Sequence, residues 1–382
     1  MSNKFLIIFF FYFFIFNFCK VDKPTIENVS LPETTESKQL QQKSLFLSGK
    51  LQADENSKLG KLTRTSFYAT FRQRITKHWE QYNKEIQDPF IEWKNKNVPE
   101  PKSKVVFYPF SGPDFPNAYT IYPKATTYIM IGLEAGGFEP DFESMNDNQI
   151  SRGLYELNGS LDTISRLNYF MTNSMKQDVS KSVFRGTAPV FLAYFGFLKV
   201  KPYSIKNFRL NDNGEIIYLT KEEIKTNPNY REGLISLDID FIDPVDGTKK
   251  KLYFLSTNIS NFGLKANPGT MKFLGKFGTF ASTFKAASFL LHYDSFTDMK
   301  EFILKNSELM VMDDTGPPVK DLATNFNIKV FGRYTRPIGL WPEKVQKDLQ
   351  KIHEDQKPEK VKFKYGYGTA DKQQHIMVVT RK

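Results

Sequence analysis

The sequence predicts an α+β fold in which a mixed sheet packs against several helices. An apolar strand, a turn, a short helix and a second apolar strand follow one another between residues 104 and 133. Alternating segments between residues 199 and 259 indicate antiparallel strands, and the turn sequence DPVDG joins the last two. Because an early strand–helix–strand unit is combined with hairpins, α+β describes this order better than a fully doubly wound sheet.

The remaining elements follow from the spacing of apolar residues. Helical spacing predicts helices over residues 61–87, 148–179 and 297–308, and the apolar segment 186–197 predicts a further helix or a buried turn. Between residues 273 and 291, apolar residues spaced 4, 3, 4, 3 and 4 apart, four of them phenylalanines, predict a central helix. Near the C-terminus we expect a strand at 327–334, a helix at 342–353 and a last strand from residue 375.

The N-terminal segment resembles an export signal. Lys4 is followed by a run from Phe5 to Phe18 that is apolar except for Asn17, and this run is shorter than the roughly 20 residues of a membrane span. Cys19, the single cysteine, stands at its end and resembles the lipid-accepting cysteine of bacterial lipoproteins. Three alternatives stay open: lipidation at Cys19, simple cleavage, or a retained N-terminal anchor.

Composition divides the 382-residue chain into three parts. Residues 1–19 are the predicted signal peptide or anchor. Residues 20–57 are polar and predict a disordered tether, because such a segment buries too little apolar surface to fold. Residues 58–382 are predicted to form one globular α+β domain.

The charge of the chain bears on its partners. The net charge is +11, but lysines and acids alternate along the whole chain, and no basic arm follows the pattern of a phosphate-binding surface. We therefore expect no nucleic-acid partner. The same charge suits an anionic membrane surface, and an envelope protein or a glycan is the further partner considered.

The first candidate site is the loop Tyr108-Pro-Phe-Ser-Gly-Pro-Asp114, directly after a predicted strand. Ser111 is expected to cap the next helix, and Asp114 to lie in its first turn. Gly112 supplies backbone amides, and Glu134 ends the second strand. This unit resembles the first half of a nucleotide- or S-adenosylmethionine-binding fold, in which an acid at that strand end holds a ribose.

Two further segments carry chemistry. On the predicted central helix, Lys285 and His292 share a face, where an ammonium and an imidazole suit an anionic ligand or acid–base work. In the sequence MDDTGPP, Asp314 follows a second aspartate on a turn, a pair that can divide acid and base roles.

Arg333 and Arg336 flank a tyrosine near the end of a predicted strand, and they suit a phosphate, a carboxylate or a sugar. The four histidines are scattered and the single cysteine is N-terminal, so no metal site is predicted. No cofactor is predicted either.

The segments FYPFSGPDF, YIMIGLE, FKAASFLLH, DDTGPP and FGRYTRPI together resemble the blocks of an uncharacterised family of bacterial envelope proteins with lipoprotein-type leaders. The resemblance covers residues 100 to 382 and implies a periplasmic or outer-surface location, anchored to a membrane. It implies no activity.

Three hypotheses about function remain open. The first is an exported, membrane-tethered protein with a binding or envelope-maintenance role. The second is an extracytoplasmic enzyme whose cleft is formed by the SGPD loop, the His292 face and the DDTGPP loop, with Asp114, His292 and Asp314 as catalytic residues. Its ligand would be held by Ser111, Gly112, Glu134, Lys285, Arg333 and Arg336. The third is nucleotide- or S-adenosylmethionine-type binding at the SGPD loop.

Overall fold

The structure, a computed structural model, describes residues 32–52, 54, 56–167, 182–227, 235–337, 345–366 and 374–382. The predicted leader and Cys19 lie outside the described residues, as do positions 168–179 of the helix predicted over 148–179. Within the described residues, no helix is both long and apolar enough to cross a membrane.

One sheet of ten strands organises the described part of the chain, in the order β4-β3-β5-β6-β2-β1-β7-β8-β10-β9. The five central strands are parallel to one another, and the strands on either side of them are antiparallel to their neighbours. The strands are β1 (Val105–Tyr108), β2 (Thr127–Gly132), β3 (Lys201–Leu210), β4 (Ile216–Leu219), β5 (Ser236–Ile242), β6 (Lys249–Ser256), β7 (Phe280–Phe284), β8 (Ser307–Met312), β9 (Phe326–Gly332) and β10 (His375–Arg381). This mixed sheet with packed helices confirms the predicted α+β class.

The five parallel strands have a specific order. Numbered along the chain, β6-β2-β1-β7-β8 is 3-2-1-4-5, so the direction of winding reverses between β1 and β7. This is the order of doubly wound sheets, which bind ligands at the carboxyl edge where the order reverses. The sequence predicted only the first strand–helix–strand unit of this arrangement.

Helices cover both faces of the sheet because successive strand residues point to opposite sides. On one face, Val106 and Tyr108 pack with helices α4, α5 and α7, and on the other Phe107 packs with α9 to α13. The helices are α1 (Thr35–Leu47), α2 (Lys58–Leu62), α3 (Ser66–Tyr82), α4 (Asp88–Asn97), α5 (Phe115–Ile121), α6 (Asp147–Leu167), α7 (Ala188–Leu198), α8 (Lys221–Thr226), α9 (Asn261–Ala266), α10 (Gly269–Gly275), α11 (Thr297–Asn306), α12 (Val319–Leu322) and α13 (Lys347–Gln356).

The predicted tether is wrong from residue 35 onward, where α1 begins. Thr34 caps this helix by accepting a hydrogen bond from the Ser37 amide at 3.0 Å, and the Ser37 hydroxyl accepts one from the Thr34 amide at 2.9 Å. Leu40, Phe46 and Leu47 are buried in a helical layer formed with α3, α6 and α7, whereas Leu45 is exposed. The polar composition of 20–57 concealed this because the apolar residues are few and clustered near one end.

The central helix predicted over 273–291 is also wrong. Only its beginning is α-helical, as the end of α10. Phe280 and Phe284 belong to the buried strand β7, and a 3₁₀ turn covers Ala286–His292. A spacing of four places two residues on one face of a strand as well as of a helix. The predicted helix 61–87 exists as α2, α3 and a π-helical segment, Asn83–Gln87.

Candidate functional site: the carboxyl edge of the parallel strands

The carboxyl edge of the parallel strands brings together most of the segments singled out in the sequence. The loops after β1, β2, β7 and β8 carry the SGPD sequence, Glu134, the Lys285 segment and the DDTGPP sequence respectively. Since all four strands run in the same direction, these loops lie at one edge of the sheet. They surround the point where the strand order reverses.

The SGPD loop is held in a strained conformation. Phe110 has φ +58°, which is unfavourable for a residue with a side chain, and Gly112 has φ +52°. The Ser111 amide donates to the Ile131 carbonyl at 2.9 Å, and its hydroxyl donates to the Gly112 carbonyl at 2.8 Å. Ser111 is thus buried within the loop and does not cap α5, whose N-cap position is Asp114. Its predicted capping role is wrong.

Asp114 and Lys285 form a buried ion pair that joins the loops after β1 and β7. The Lys285 ammonium lies 2.8 Å from Oδ2 of Asp114, and the two side chains are 1% and 4% exposed. The same Oδ2 accepts a hydrogen bond from the Tyr108 hydroxyl at 2.9 Å. Burial raises the pKa of the Asp114 carboxyl above its usual range, although the Lys285 charge opposes this shift. The pair therefore fixes the relative position of two loops at the switch point.

A second strained residue lies beside this pair. Ala286, which follows Lys285, has φ +59°. The other two non-glycine residues with positive φ in the described chain, Lys199 and Lys357, follow helix C-termini, where this conformation is common. Phe110 and Ala286 instead belong to the two loops that meet at the point of reversal. Backbone strain of this kind is concentrated at functional sites.

Asp313 lies beneath the same loops. Its Oδ1 accepts hydrogen bonds from the amide and hydroxyl of Thr315, and its own amide donates to the Phe284 carbonyl at 3.3 Å. Oδ2 has no hydrogen-bond partner among the described residues. Gly366 packs so closely that a Cβ there would lie 1.6 Å from Oδ2. Burial, and then the Asp314 charge, raise the pKa of Asp313 to about 6.

The three residues predicted as catalytic have separate partners. Asp114 binds Lys285, whereas Asp314 Oδ1 lies 3.2 Å from Nε2 of His375. His292 lies on the 3₁₀ turn, where its Nε2 is 2.9 Å from the Gly316 carbonyl and its ring stacks on Phe289. The helical face that was predicted to join Lys285 and His292 is therefore absent.

The two arginines occupy another part of the edge. Arg333 and Arg336 are exposed after β9, and neither lines the cleft described next. Tyr334, between them, is buried against the rings of His353 and His375. Burial, and then the neighbouring His375, lower the pKa of His353 to about 4.

A cleft opens directly over the point of reversal, and we call it the switch-point cleft. It is lined by residues 110, 112, 131–134, 257–259, 287, 290 and 296. Its volume is about 70 Å³, well below the range of about 300–1,000 Å³ that ligand pockets occupy. Most of any organic ligand would therefore lie toward the mouth, where Leu133 and Leu290 are 42% and 36% exposed.

Two predicted binding residues, Gly112 and Glu134, line this cleft. Glu134 is buried at the end of β2, and its carboxylate lies against Gly132, where a Cβ would be 2.2 Å from Oε2 and 3.1 Å from the Gly112 Cα. The apolar rim residues were not predicted from the sequence. The one available signal was Gly132, a glycine inside an otherwise apolar strand, which indicates close approach of another chain segment.

Among the described residues, no group of three or more histidine, cysteine, aspartate or glutamate side chains is arranged to hold a metal ion. Comparison with protein families, with curated proteins and with solved structures finds no match to this chain. The resemblance to bacterial envelope proteins therefore stays a prediction.

Proposed function

We propose that this protein binds a nucleoside without phosphate groups, of the S-adenosylmethionine type, in the switch-point cleft. The observation that carries the proposal is the position of the cleft at the carboxyl edge of a 3-2-1-4-5 parallel sheet, with Glu134 ending the second strand. In sheets of this order an acid at that position accepts hydrogen bonds from ribose hydroxyls.

The lining of the cleft suits a nucleoside that lies mostly across its open mouth. Glu134 lines the cleft, whose volume of about 70 Å³ has room for a few polar atoms of a sugar. The exposed Leu133 and Leu290 side chains at the mouth, with Phe296 behind them, offer an apolar surface for a flat base. Exposed apolar side chains beside a cleft are typical of ligand sites.

The charge of the cleft argues against phosphates. None of the described residues that line it is a lysine or an arginine, and Lys285, the nearest basic residue in the SGPD network, is paired with Asp114. The loop after β1 contains one glycine, whereas close approach of a pyrophosphate requires several. A neutral or cationic ligand meets Glu134 favourably, and an anionic ligand does not.

S-adenosylmethionine is a phosphate-free nucleoside that meets these requirements. That compound combines an adenosine with a positively charged sulfonium and would supply a methyl group for transfer. The residues on this chain that would bind it are Glu134 at the ribose and the Leu133 and Leu290 rim at the base. Asp114 and Lys285 would position the SGPD loop beneath it.

A ligand panel tests the proposal on the full-length chain. Thermal unfolding is measured with S-adenosylmethionine, S-adenosylhomocysteine and adenosine, and separately with ATP and NAD. The proposal predicts that the phosphate-free compounds raise the unfolding temperature and that ATP and NAD do not. Stabilisation by ATP or NAD alone, or by none of the five compounds, would contradict it.

Export and membrane anchoring are a separate proposal, because Cys19 and the segment before it lie outside the described residues. They are supported by the apolar run ending at Cys19 and by the net positive charge. Metabolic labelling with a palmitate analogue tests them in the wild type and in Cys19→Ala. The proposal predicts label in the wild type alone, and equal labelling of both proteins would refute lipidation.

A further inference from the structure

A second cavity lies beside the switch-point cleft, farther toward the antiparallel edge of the sheet. Its volume is about 360 Å³, within the range of about 300–1,000 Å³ that ligand pockets occupy. It is lined by residues 209–212, 227, 235, 236, 255–257, 267, 269 and 270, and we call it the polar cavity. Thr257 lines both this cavity and the cleft, so the two spaces adjoin.

The polar cavity has walls of a different chemistry. Of the thirteen described residues that line it, seven carry a hydroxyl or an amide, one carries a positive charge and one a negative charge. These are Asn211, Asn227, Ser236, Ser256, Thr257, Asn267 and Thr270, with Arg209 and Asp212. Among the described residues, no aromatic ring lines it. The balance of charge favours neither an anion nor a cation.

Hydroxyl and amide groups both donate and accept hydrogen bonds. An anion needs donors alone and a metal cation needs acceptors alone, so neither would use this lining fully. A sugar matches it, because each sugar hydroxyl also donates and accepts. A sugar with an acetamido group matches the side-chain amides as well.

The wall formed by the β3–β4 turn is rigid. Gly269, at the start of α10, approaches this turn so closely that a Cβ would lie 1.9 Å from the Asn211 carbonyl oxygen. Gly214, with φ +73°, lies against the backbone of Phe273, and the Lys276 ammonium donates to the Gly214 carbonyl. A pre-formed wall lowers the entropic cost of binding a ligand.

The opposite wall is also fixed. The Ser256 amide donates to the Ser236 hydroxyl oxygen at 3.2 Å, which joins β6 to β5 inside the cavity. Ser236, Ser256 and Thr270 are all buried, so polar groups are held away from bulk water at the base of a space that a ligand can enter. Buried polar groups around a pre-formed cavity are typical of sites that recognise polar ligands.

We infer that the polar cavity binds a saccharide, either free or as the end of a glycan. The site does not depend on the nucleoside proposed for the cleft. Where both ligands bind, they lie side by side along the carboxyl edge of the sheet, with Thr257 between them.

The matched test uses two neighbouring residues of the β3–β4 turn. Asp212 and Asn213 are both exposed, but only Asp212 lines the cavity. Asp212→Trp places a large ring at the mouth, and Asn213→Trp places the same ring beside it. The dissociation constant of N-acetylglucosamine is measured by ligand-observed NMR with the full-length wild type and both variants, with inorganic phosphate as the charged probe.

The inference predicts saturable binding of N-acetylglucosamine to the wild type, at least ten-fold weaker binding to Asp212→Trp, and unchanged binding to Asn213→Trp. Equal unfolding temperatures for the two variants show that folding is unaffected. A chitin oligosaccharide that binds more tightly than the monosaccharide identifies a glycan end as the ligand, and equal affinity identifies a free sugar.

Absence of sugar binding, tighter binding of phosphate, or equal loss in both variants would overturn the inference. S-adenosylhomocysteine is titrated in a parallel sample. Sugar binding without nucleoside binding would refute the proposed function and leave the polar cavity as a sugar site, so the two failures are distinguishable.

Discussion

Replacing Lys285 with methionine tests whether the buried Asp114–Lys285 pair holds the carboxyl edge together. Methionine keeps much of the side-chain volume but removes the ammonium, so the Asp114 carboxylate stays buried with the Tyr108 hydroxyl and the Asn117 amide as donors but without its positive partner. Removing one partner of a buried ion pair costs about 3–5 kcal/mol. We expect a loss of this size in the free energy of unfolding at pH 7.5, measured by urea denaturation.

The cost should depend on pH. Burial already raises the pKa of Asp114, and without Lys285 it rises further, so the folded variant retains a proton that the unfolded chain loses above about pH 4. A group of this kind stabilises the folded state below the unfolded pKa and loses that contribution as the pH rises through the folded pKa. The deficit of Lys285→Met should therefore be smaller at pH 5 than at pH 7.5, by up to about 1.4 kcal/mol per pH unit.

Two variants provide controls. Asp114→Asn combined with Lys285→Met removes both charges and should recover part of the lost stability. Lys250→Met breaks a comparable pair with Asp243, whose side chains are 1% and 3% exposed. That pair lies at the opposite end of the strands, so its loss should lower stability without changing ligand binding in the cleft. A deficit below about 1 kcal/mol for Lys285→Met, or one independent of pH, would refute the reasoning.

Three further predictions concern packing and pH. Gly366→Ala should cost several times the stability lost in Gly247→Ala. Both glycines have positive φ, but a Cβ at Gly366 would meet Asp313, whereas a Cβ at Gly247 would face open space. Equal decreases in the unfolding temperature of the two variants would contradict this prediction. Asp313 has a pKa raised to about 6, so its stabilising contribution is present below about pH 4 and lost as the pH rises through 6. Asp313→Asn should remove about 2–3 kcal/mol of this pH dependence from the free energy of unfolding measured by urea titration. Parallel plots of unfolding free energy against pH for the wild type and the variant would contradict this prediction. His353 has a pKa lowered to about 4, so its contribution to stability is present above about pH 6.5 and lost as the pH falls toward 4. The wild type should therefore lose about 2 kcal/mol more unfolding free energy than His353→Phe between pH 7.5 and pH 5. A stability difference between the two proteins that stays constant over this range would contradict the prediction.

Local sequence patterns were sufficient for most of the strands. The apolar runs that became β1 and β2, the DPVDG hairpin between β5 and β6, and the last strand β10 were all predicted near their observed bounds. In each case the turn residues or apolar runs act within a few positions, so a local pattern contains the information.

The central sheet was harder to predict because its strands are covered on both faces. A strand buried on both sides loses the alternation of apolar and polar residues, and β7 shows the effect: all five of its residues are buried. Its phenylalanines then matched a helical spacing. The strand order 3-2-1-4-5 also depends on pairings between distant segments, which no local pattern specifies.

The candidate site was predicted in part. Ser111, Gly112, Asp114, Glu134, Lys285 and Asp314 were selected from their residue types, and they lie along the carboxyl edge. The sequence did not specify that Asp114 pairs with Lys285 or that Ser111 is used within its own loop. It also missed the exposed leucines of the cleft, since a leucine beside a strand predicts a core residue until its exposure is known.

Binding of S-adenosylhomocysteine to two glycine variants tests the central claim most directly. In Gly132→Ala the added methyl group meets the Glu134 carboxylate and the Gly112 backbone inside the cleft, whereas in Gly159→Ala it meets no atom within 4 Å. Isothermal titration should give saturable binding to the wild type and to Gly159→Ala, and at least ten-fold weaker binding to Gly132→Ala. Equal affinity for all three proteins, or no binding to the wild type, would contradict a nucleoside site at the switch point.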